Sequence, residues 1–414
     1  MIKKGDELPP LGLHHHLAGK RIIVAGAGIA GLSFAVAFRR NWAASFSPSL
    51  APPSTVIYER ESKETTVART GYSMTIRSDG FSGGMQSTEK MGLLDKVVAA
   101  SATAGADRRN KKFPVPALRI ARSDLRRVLI DGLAAQDEVR WTVSCTGAEV
   151  CPGDGGKVNV QLSNGSIDEC DLLIAADGAR SKPRGALRPE DGLRFTGAVT
   201  LGGTARFPEG KGVEGWANRD WRFVIGETGK GMFMAPVNQH SASWSVSYIT
   251  EKPRALMRPP YTQEQVDGML KEALETGKGS STCLKRMVAL TDPDTLTLSN
   301  AMERDPFKHK EGERVIFIGD ANHAMCHFSG NGANMALMDG CDLAEQLCKA
   351  STLVAAVETY DDHAAVQDSC LDESGEHSSC ARDRLEAKGL FGADEDRQLV
   401  YVGFLAEYYS KVSL

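Results

Sequence analysis

The sequence predicts an α/β fold in which a parallel-sheet unit is interleaved with an antiparallel β-sheet and followed by a C-terminal helical region. Three observations support this prediction. A short apolar strand near the N-terminus enters a glycine-rich turn and then a helix, and two later apolar strands end in Asp-Gly or Gly-Asp. The segment between those two strands alternates apolar and polar residues, as antiparallel strands do. At roughly 150 residues per domain, 414 residues suit two or three such units.

Composition excludes several classes of protein. Hydrophobic residues at 42% and charged residues at 25% are ordinary for a globular chain, and no apolar run approaches the roughly 18 to 20 residues of a membrane span. The formal net charge of −4 provides no positive field for a nucleic acid. We therefore expect no nucleic-acid partner and no integral membrane segment. Because the N-terminus has no apolar signal core and the nine cysteines show no disulfide-like spacing, the predicted location is cytoplasmic.

The first element is the strand at residues 20–25 (KRIIVA), which leads into a Gly-x-Gly-x-x-Gly turn. In such a turn Gly26 permits the tight bend, Gly28 allows the backbone to approach a pyrophosphate, and Gly31 allows close packing of helix and strand. The following helix then directs its N-terminus at the anion. The pattern predicts a Rossmann-like dinucleotide-binding unit.

A second strand, at residues 55–58 (TVIY), strengthens that prediction because it ends in Glu59. A carboxylate at this point of the fold accepts hydrogen bonds from a ribose. The gap between Gly31 and Glu59 is longer than usual, and we attribute the excess to a loop over residues 42–54, which are rich in Ser, Pro and Ala.

Two further predicted strands are followed directly by an aspartate. Residues 171–176 lead into Asp177-Gly178, and residues 314–318 lead into Gly319-Asp320. A glycine-rich helix start follows the second strand, at residues 330–334 (GNGAN). A carboxylate at the end of a strand suits sugar hydroxyls, and the amides at a helix N-terminus suit phosphate or developing negative charge.

Three segments together resemble one family. They are GAGIAG at 26–31 with Glu59-Arg60, AADGARSKPR at 175–184, and GDANHAMCHFSGNGANMALMDG at 319–340. In this order they resemble the single-component FAD-dependent monooxygenases with the para-hydroxybenzoate hydroxylase fold. The stretches at 59–80 and 121–129 look most like the branch that contains tetracycline-inactivating and fungal secondary-metabolite monooxygenases.

The resemblance implies a set of residues that bind non-covalent FAD. Gly26, Gly28 and Gly31 would hold the pyrophosphate, Glu59 the adenosine ribose and Arg60 the adenine end. Arg122 would reach the flavin side, Asp177 would serve both FAD and a passing NADPH, and Asp320 would hold the ribitol. The flavin pyrimidine ring would lie beside Gly330, Asn331, Gly332, Ala333 and Asn334.

The resemblance also implies a reaction. NADPH reduces FAD, O2 forms a flavin C4a-hydroperoxide, and one oxygen atom hydroxylates or epoxidises an apolar or aromatic small molecule, expected to be a secondary metabolite. Three alternatives remain open: a dehydrogenase or oxidase of the same fold, an FAD-containing isomerase or cyclase, and a non-enzymatic module that uses FAD as a redox switch.

The middle block alternates like an antiparallel sheet and would cover the flavin. Its aromatic and thioether side chains suit an apolar substrate pocket or, equally, an ordinary core. The candidate substrate-binding residues are Arg222, Phe223, Met232, Phe233, Met234 and Pro236, with Trp216, Trp221, Trp244 and Tyr248 as further aromatic candidates.

His327 is a departure from the family pattern, which usually has proline at this position. Histidine adds a titratable ring near the flavin, so we predict it as a candidate general acid or base; the alternative is a tolerated loop residue. His323, Cys326 and His327 are too close in sequence for usual zinc spacing, so no metal site is predicted.

These predictions divide the chain into three parts. The FAD-binding domain comprises residues 18–186 and 305–350, the substrate-binding sheet comprises 187–304, and a helical region comprises 351–414.

Overall fold

The computed structural model describes residues 13–68, 72–78, 83–102, 117–153, 156–208, 222–225, 230–257, 259–277, 282–310, 312–327 and 330–373. The strands are β1 (Arg21–Ala25), β2 (Ser54–Glu59), β3 (Ser73–Arg77), β4 (Ala117–Ala121), β5 (Glu138–Trp141), β6 (Cys145–Val150), β7 (Val158–Leu162), β8 (Ile167–Cys170), β9 (Leu172–Ala175), β10 (Arg194–Arg206), β11 (Arg222–Ile225), β12 (Lys230–Asn238), β13 (Ser241–Ile249), β14 (Thr291–Glu303) and β15 (Val315–Phe317). The helices are α1 (Ile29–Ser45), α2 (Lys63–Ala68), α3 (Gly84–Lys90), α4 (Leu94–Ala99), α5 (Arg122–Ile130), α6 (Lys182–Leu187), α7 (Gln263–Thr276), α8 (Thr282–Ala289), α9 (Gly332–Lys349) and α10 (Leu353–Glu373).

A five-stranded parallel sheet in the order β15-β9-β1-β2-β5 forms the first unit. Its central strands are fully buried, which explains why they are continuous apolar runs rather than alternating ones. Helices α1 and α9 pack on it in one hydrophobic core. Because the strands are parallel, the turns after β1, β9 and β15 and the end of β2 meet at one edge of the sheet. This edge carries the predicted cofactor residues.

An antiparallel sheet in the order β11-β12-β13-β10-β14 forms the second unit. One of its faces packs against α7 and α8 in a separate core. Side chains alternate between the faces of a strand, so the other face carries Ser and Thr residues from β10, β13 and β14. We call this face the hydroxyl face; its residues are Thr200, Ser243, Ser245, Ser247, Thr297 and Ser299. The α/β fold class predicted from the sequence is confirmed.

Two smaller antiparallel sheets were not predicted. The strands β3 and β4 pair with each other, and β6, β7 and β8 form a three-stranded sheet between β5 and β9. One face of the β3–β4 pair, with Ile76, Leu118 and Ile120, joins the core of the parallel-sheet unit. The opposite face carries polar residues and lies beside β12.

Helix α1 is longer than predicted. It continues to Ser45, so the predicted loop over residues 42–54 begins four residues later. The reason is aromatic packing: Trp42 is buried against Phe38 and Phe46, and His15 from the N-terminal segment contacts both Trp42 and Phe46. Local composition favoured a loop, whereas these tertiary contacts extend the helix.

Helix α10 is tied to the parallel sheet through a buried histidine. The amide of Phe317 in β15 donates to His309 Nε2 over 2.9 Å, so Nε2 is the acceptor nitrogen of the ring. The Nδ1 atom of His309 lies 2.8 Å from Asp361 Oδ1 on α10, and the His309 amide donates to Asp361 Oδ2.

The predicted helical region 351–414 has α10 at its start, and residues after 373 lie outside the described ranges. In the part of the chain that the structure describes, no helix has both the length and the apolar character needed to cross a membrane.

Candidate active site

The glycine-rich turn joins β1 to α1 and leaves no room for side chains. Gly26 has a φ of +101°, and a Cβ atom there would lie 2.7 Å from the carbonyl oxygen of Ala176. A Cβ atom on Gly31 would lie 2.2 Å from the carbonyl oxygen of Gly26. Gly28 is the N-cap of α1 and no side chain caps the helix, so amides of the first turn are available to an anion.

Glu59 lies at the end of β2 and reaches the glycine turn. Its carboxylate accepts hydrogen bonds from the amides of Ala27 and Glu61, both over 2.9 Å. Arg126 on α5 completes the arrangement, because its guanidinium donates to the carbonyl of Ala27 and to Glu61. Sequence reasoning missed Arg126; the available signal was a second arginine one helical turn after Arg122. These contacts hold the carboxylate and the turn in one rigid unit.

Asp177 follows β9 and is largely enclosed. Burial raises the pKa of its carboxyl group, while Ser181, the Lys182 amide and the positive charge of Arg60 oppose the shift. Its Oδ2 atom accepts from the Lys182 amide, whereas Oδ1 is buried and has no hydrogen-bond partner among the described residues. A ligand hydroxyl or a water molecule would satisfy this oxygen.

Arg304 is a further buried charge beside Asp177. Burial lowers the pKa of its guanidinium, and the negative charges of Asp191 and Asp177 oppose the shift. Its Nε atom lies 3.9 Å from Asp191 Oδ1, and within the described ranges Nε and Nη1 make no hydrogen bond. The sequence analysis did not select Arg304, which ends the predicted sheet segment.

Asp320 lies in a 3₁₀ turn, Gly319–Ala321, directly after β15. Its side chain retains exposed surface, but protein surrounds it on most sides. The resulting loss of solvation raises the pKa of its carboxyl group, and the charges of His323 and Arg122 oppose this shift. Arg122, the first residue of α5, is therefore within electrostatic range of Asp320.

A buried carboxylate on α9 anchors this turn. Asp339 Oδ2 accepts from the Gly319 amide over 2.6 Å and lies 2.6 Å from His323 Nε2. Asp339 is 1% exposed and His323 is 5% exposed. Sequence reasoning also missed Asp339, although an aspartate within the apolar pattern MALMDG was a usable signal. Asp339 is a positioning residue, since it acts on the turn that carries Asp320.

The segment 330–334 begins helix α9, as predicted, but Asn334 has a structural role there. Its Oδ1 accepts from the Arg77 amide over 2.9 Å and its Nδ2 donates to the Thr75 carbonyl over 3.0 Å. The side chain is fully buried and is committed to β3. Gly330 has a φ of +65°, and within the described ranges no side-chain hydrogen bond caps the N-terminus of α9. The backbone of residues 330–333 is thus the part of this segment that is placed to face a ligand.

His327 connects the loop after the Gly-Asp turn to the antiparallel sheet. Its Nε2 atom lies 2.8 Å from Thr200 Oγ1, which in turn lies 2.8 Å from Ser247 Oγ. The imidazole keeps exposed surface between the two units, yet protein surrounds it elsewhere, and this loss of solvation lowers its pKa to about 4. His327 is therefore neutral near pH 7.

The predicted substrate residues lie on different faces of the sheet. Met232 and Met234, together with Trp244, belong to the core against α7 and α8. Strand alternation consequently places Phe233 on the hydroxyl face, where it contacts the parallel-sheet unit. The Pro236 carbonyl accepts a hydrogen bond from Ser73 on β3. The side chains of Arg222 and Phe223, and all of Trp216 and Trp221, lie outside what the structure describes.

The observed donors and acceptors fit FAD. An uncapped helix N-terminus behind a glycine turn suits a pyrophosphate, and the unsatisfied Asp177 Oδ1 suits a hydroxyl group. Glu59, Asp177 and Asp320 lie at the carboxyl edge of the parallel sheet, where ligands of open α/β sheets bind.

Comparison with known proteins agrees with this geometry. A family model described as "FAD binding domain" matches residues 21–366. Monooxygenase cfoF of Aspergillus candidus is 39% identical over 374 residues, which cover 84% of this chain and 87% of the relative. Monooxygenase 2 of Arabidopsis thaliana is 26% identical over 349 residues, which cover 80% of this chain and 77% of the relative.

Solved structures share the fold at lower sequence identity. Klebsiella pneumoniae HpxO, crystallised with FAD and uric acid, superimposes with a TM-score of 0.65 at 20% identity and covers 96% of this chain and 94% of its own. Tetracycline destructase Tet(51) gives a TM-score of 0.60 at 18% identity and covers 90% of this chain and 95% of its own.

Proposed function

Because this chain belongs to the FAD-binding-domain family and is an FAD-dependent monooxygenase, we propose that it consumes NAD(P)H to hydroxylate or epoxidise an aromatic secondary metabolite. The observation that carries the proposal is the hydrogen bond from His327 to Thr200. It connects the loop beside the predicted flavin site to the hydroxyl face of the second sheet. A substrate held between these two surfaces would contact both.

FAD, when bound, supplies hydride acceptance and the activation of O2. The residues of this chain would bind and orient the cofactor. The glycine turn and Glu59 would hold the adenosine end, whereas Asp177, Arg122 and Asp320 would hold the middle of the cofactor. The buried Asp339–His323 pair keeps the Gly-Asp turn fixed during turnover.

His327 would act as a neutral hydrogen-bonding group. Its pKa of about 4 leaves the imidazole uncharged at neutral pH, and Thr200 and Ser247 extend from it as a short hydrogen-bonded chain. We expect this chain to orient a substrate hydroxyl or carbonyl and to exclude bulk water at the reacting carbon. Since the imidazole is bonded to the sheet, its loss would also loosen the loop.

The hydroxyl face changes the expected substrate. An apolar pocket lined by Met232 and Met234 was the sequence-based expectation, but those side chains face α7 and α8. The hydroxyl face, which His327 connects to the loop beside the predicted flavin site, carries Thr200, Ser245 and Ser247 instead. The proposed substrate is therefore aromatic and oxygenated, because hydroxyl side chains match phenol, quinone or ketone oxygens.

The test of the proposal uses purified FAD-saturated protein with NADPH or NADH and an extract of aromatic metabolites under ¹⁸O2. A product heavier by one ¹⁸O atom, formed only with the nicotinamide cofactor, supports the proposal. A product lighter by two hydrogens, or stoichiometric H2O2 without labelled product, would assign a dehydrogenase or oxidase instead.

The variants His327→Gln and His327→Pro test the role of the loop in the same assay. Gln keeps hydrogen bonding to Thr200, so it should retain the ratio of product to NAD(P)H consumed, whereas Pro should lower this ratio. Equal ratios for wild type and both variants would reduce His327 to a loop residue without a catalytic role.

A further inference from the structure

Arg119 is a buried cation that has no acidic partner among the described residues. It lies on β4, is 7% exposed, and donates only to neutral groups: Nη1 to Thr75 Oγ1 over 2.7 Å, and Nη2 to the Ser73 carbonyl over 2.6 Å and to Ser73 Oγ over 2.5 Å. Burial lowers the pKa of its guanidinium to about 10, and no charged group offsets that shift. Among the described residues its Nε atom has no hydrogen-bond partner.

The position of Arg119 places this charge at the junction of the two units. Ser73, Thr75 and Arg119 share the polar face of the β3–β4 pair, which is the face turned away from the parallel-sheet core. From there the Arg119 guanidinium lies over the Phe233 ring, 5.6 Å from its centroid. Phe233 is on the hydroxyl face, next to Ser245 across the strand pair.

A buried charge lowers the stability of the folded protein unless a group of opposite charge pairs with it. Removing a cation from water costs several kcal/mol, and hydrogen bonds to neutral oxygens recover only part of that. Other buried arginines in this chain have carboxylates: Arg39 pairs with Asp137 over 2.6 Å, and Arg126 pairs with Glu61 over 3.1 Å. Arg119 differs from them in facing the substrate sheet, so a ligand can supply the missing charge.

We propose that Arg119 is the specificity residue that selects an aromatic substrate carrying an oxyanion, either a carboxylate or an ionised phenol. This inference rests on the proposed function, since it assigns the substrate class of the same site. Phe233 would stack beside the aromatic ring, the guanidinium would pair with the oxyanion, and Ser245 would bond a further oxygen substituent. The neutral Ser73 and Thr75 contacts preorganise the guanidinium for this role.

The test measures binding to the FAD-saturated protein without turnover, by titration of the flavin absorption spectrum. The first arm compares 2-naphthoate with 2-naphthamide at pH 7, which match in shape and differ in charge. The second arm follows 4-cyanophenol from pH 6 to pH 9, a range in which this phenol ionises while Arg119 stays charged. We expect at least tenfold tighter binding of the carboxylate than of the amide, or a tenfold gain for the phenol as it ionises.

Arg119→Met should abolish this preference, and Arg119→Lys should retain part of it because the charge remains. Arg140→Met is the matched control, since it removes an arginine that pairs with Glu138 at β5 and makes no contact with Arg119 among the described residues, and it should keep the preference. FAD content and urea midpoint are measured for each variant, and the wild-type and Lys data remain decisive if the Met variant does not fold.

Absence of any anion preference in the wild-type protein, including failure of all three probes to bind, overturns the proposal, as does a preference that survives in Arg119→Met. The proposed function is judged separately by ¹⁸O incorporation. An enzyme that oxygenates a neutral substrate but shows no anion preference would refute only the assignment of Arg119.

Discussion

Asp339 is the residue whose replacement best tests the anchoring of the Gly-Asp turn. One carboxylate oxygen serves two buried donors, the Gly319 amide and His323 Nε2, each at 2.6 Å. Asp339→Ala removes the acceptor that both donors share, at a cost of roughly 1–3 kcal/mol for each lost hydrogen bond, so the free energy of unfolding should fall by about 2–6 kcal/mol. Asp339→Asn keeps an acceptor and loses only the charge assistance, so we expect a loss of about 2 kcal/mol.

The assay separates stability from cofactor binding. Urea unfolding of the FAD-free protein gives the free energy, and fluorescence titration of the folded protein gives the FAD dissociation constant. Because Gly319 directly precedes Asp320, freeing its amide from Asp339 should also misplace the Asp320 carboxylate. We expect Asp339→Asn to weaken FAD binding at least tenfold, which corresponds to about 1.4 kcal/mol.

Asp137→Asn provides the matched control. Asp137 is a buried carboxylate that pairs with Arg39 over 2.6 Å. It directly precedes β5, which is one edge strand of the parallel sheet, whereas the Gly-Asp turn follows β15, the other edge strand. It should lower stability and leave FAD affinity unchanged. Unchanged FAD affinity in Asp339→Asn, or an equal loss in Asp137→Asn, would refute the anchoring role.

Three other perturbations test separate parts of the structure. Asp320→Ala should weaken FAD binding about tenfold or more, yet leave FAD-free stability unchanged, because that carboxylate is desolvated and makes no direct ion pair with a described residue; unchanged affinity in the titration would contradict its placement. Gly268→Ala should raise the free energy of unfolding in urea by about 0.5–1 kcal/mol, since Gly268 is exposed within α7 and a Cβ atom there meets nothing; a lower free energy would contradict this. Burial lowers the pKa of His16 to about 4, so the unfolded chain binds the extra proton first and stability should fall as pH drops from about 6.5 toward 4. His16→Phe should reduce that slope in pH-dependent melting; an identical slope would show that other groups cause it.

The parallel-sheet unit was predictable because its signals are local. Gly26, Glu59, Asp177 and Asp320 each lie at a strand end that the sequence marks by an apolar run followed by Gly or an acid. Parallel topology then brings the four positions to one edge without further information. Local pattern was therefore sufficient for the fold class and a dinucleotide-binding unit, whereas FAD as the cofactor came from the family resemblance.

The remaining site residues depend on contacts that no local pattern contains. Alternation in β12 indicated two faces, but it could not tell which face α7 would cover, so Met232 and Met234 were assigned to the pocket. Arg119 belongs to a two-stranded sheet whose partner strands are far apart in sequence, and Asp339 acts on a turn one helix away. Tertiary packing decided each of these roles.

The tie between β15 and α10 has a consequence for how the chain matures on the ribosome. The edge strand β15 and helix α9 are synthesised only after the whole antiparallel sheet, and His309 gains its Asp361 partner later still. A nascent chain that ends after β9 holds the glycine turn but lacks the Gly-Asp turn and the helix that covers α1. Such non-local closure is slow, and it exposes apolar surface meanwhile. The Gly-Asp turn and its Asp339 anchor are therefore incomplete until α9 has been synthesised, which makes late translation the vulnerable period for aggregation.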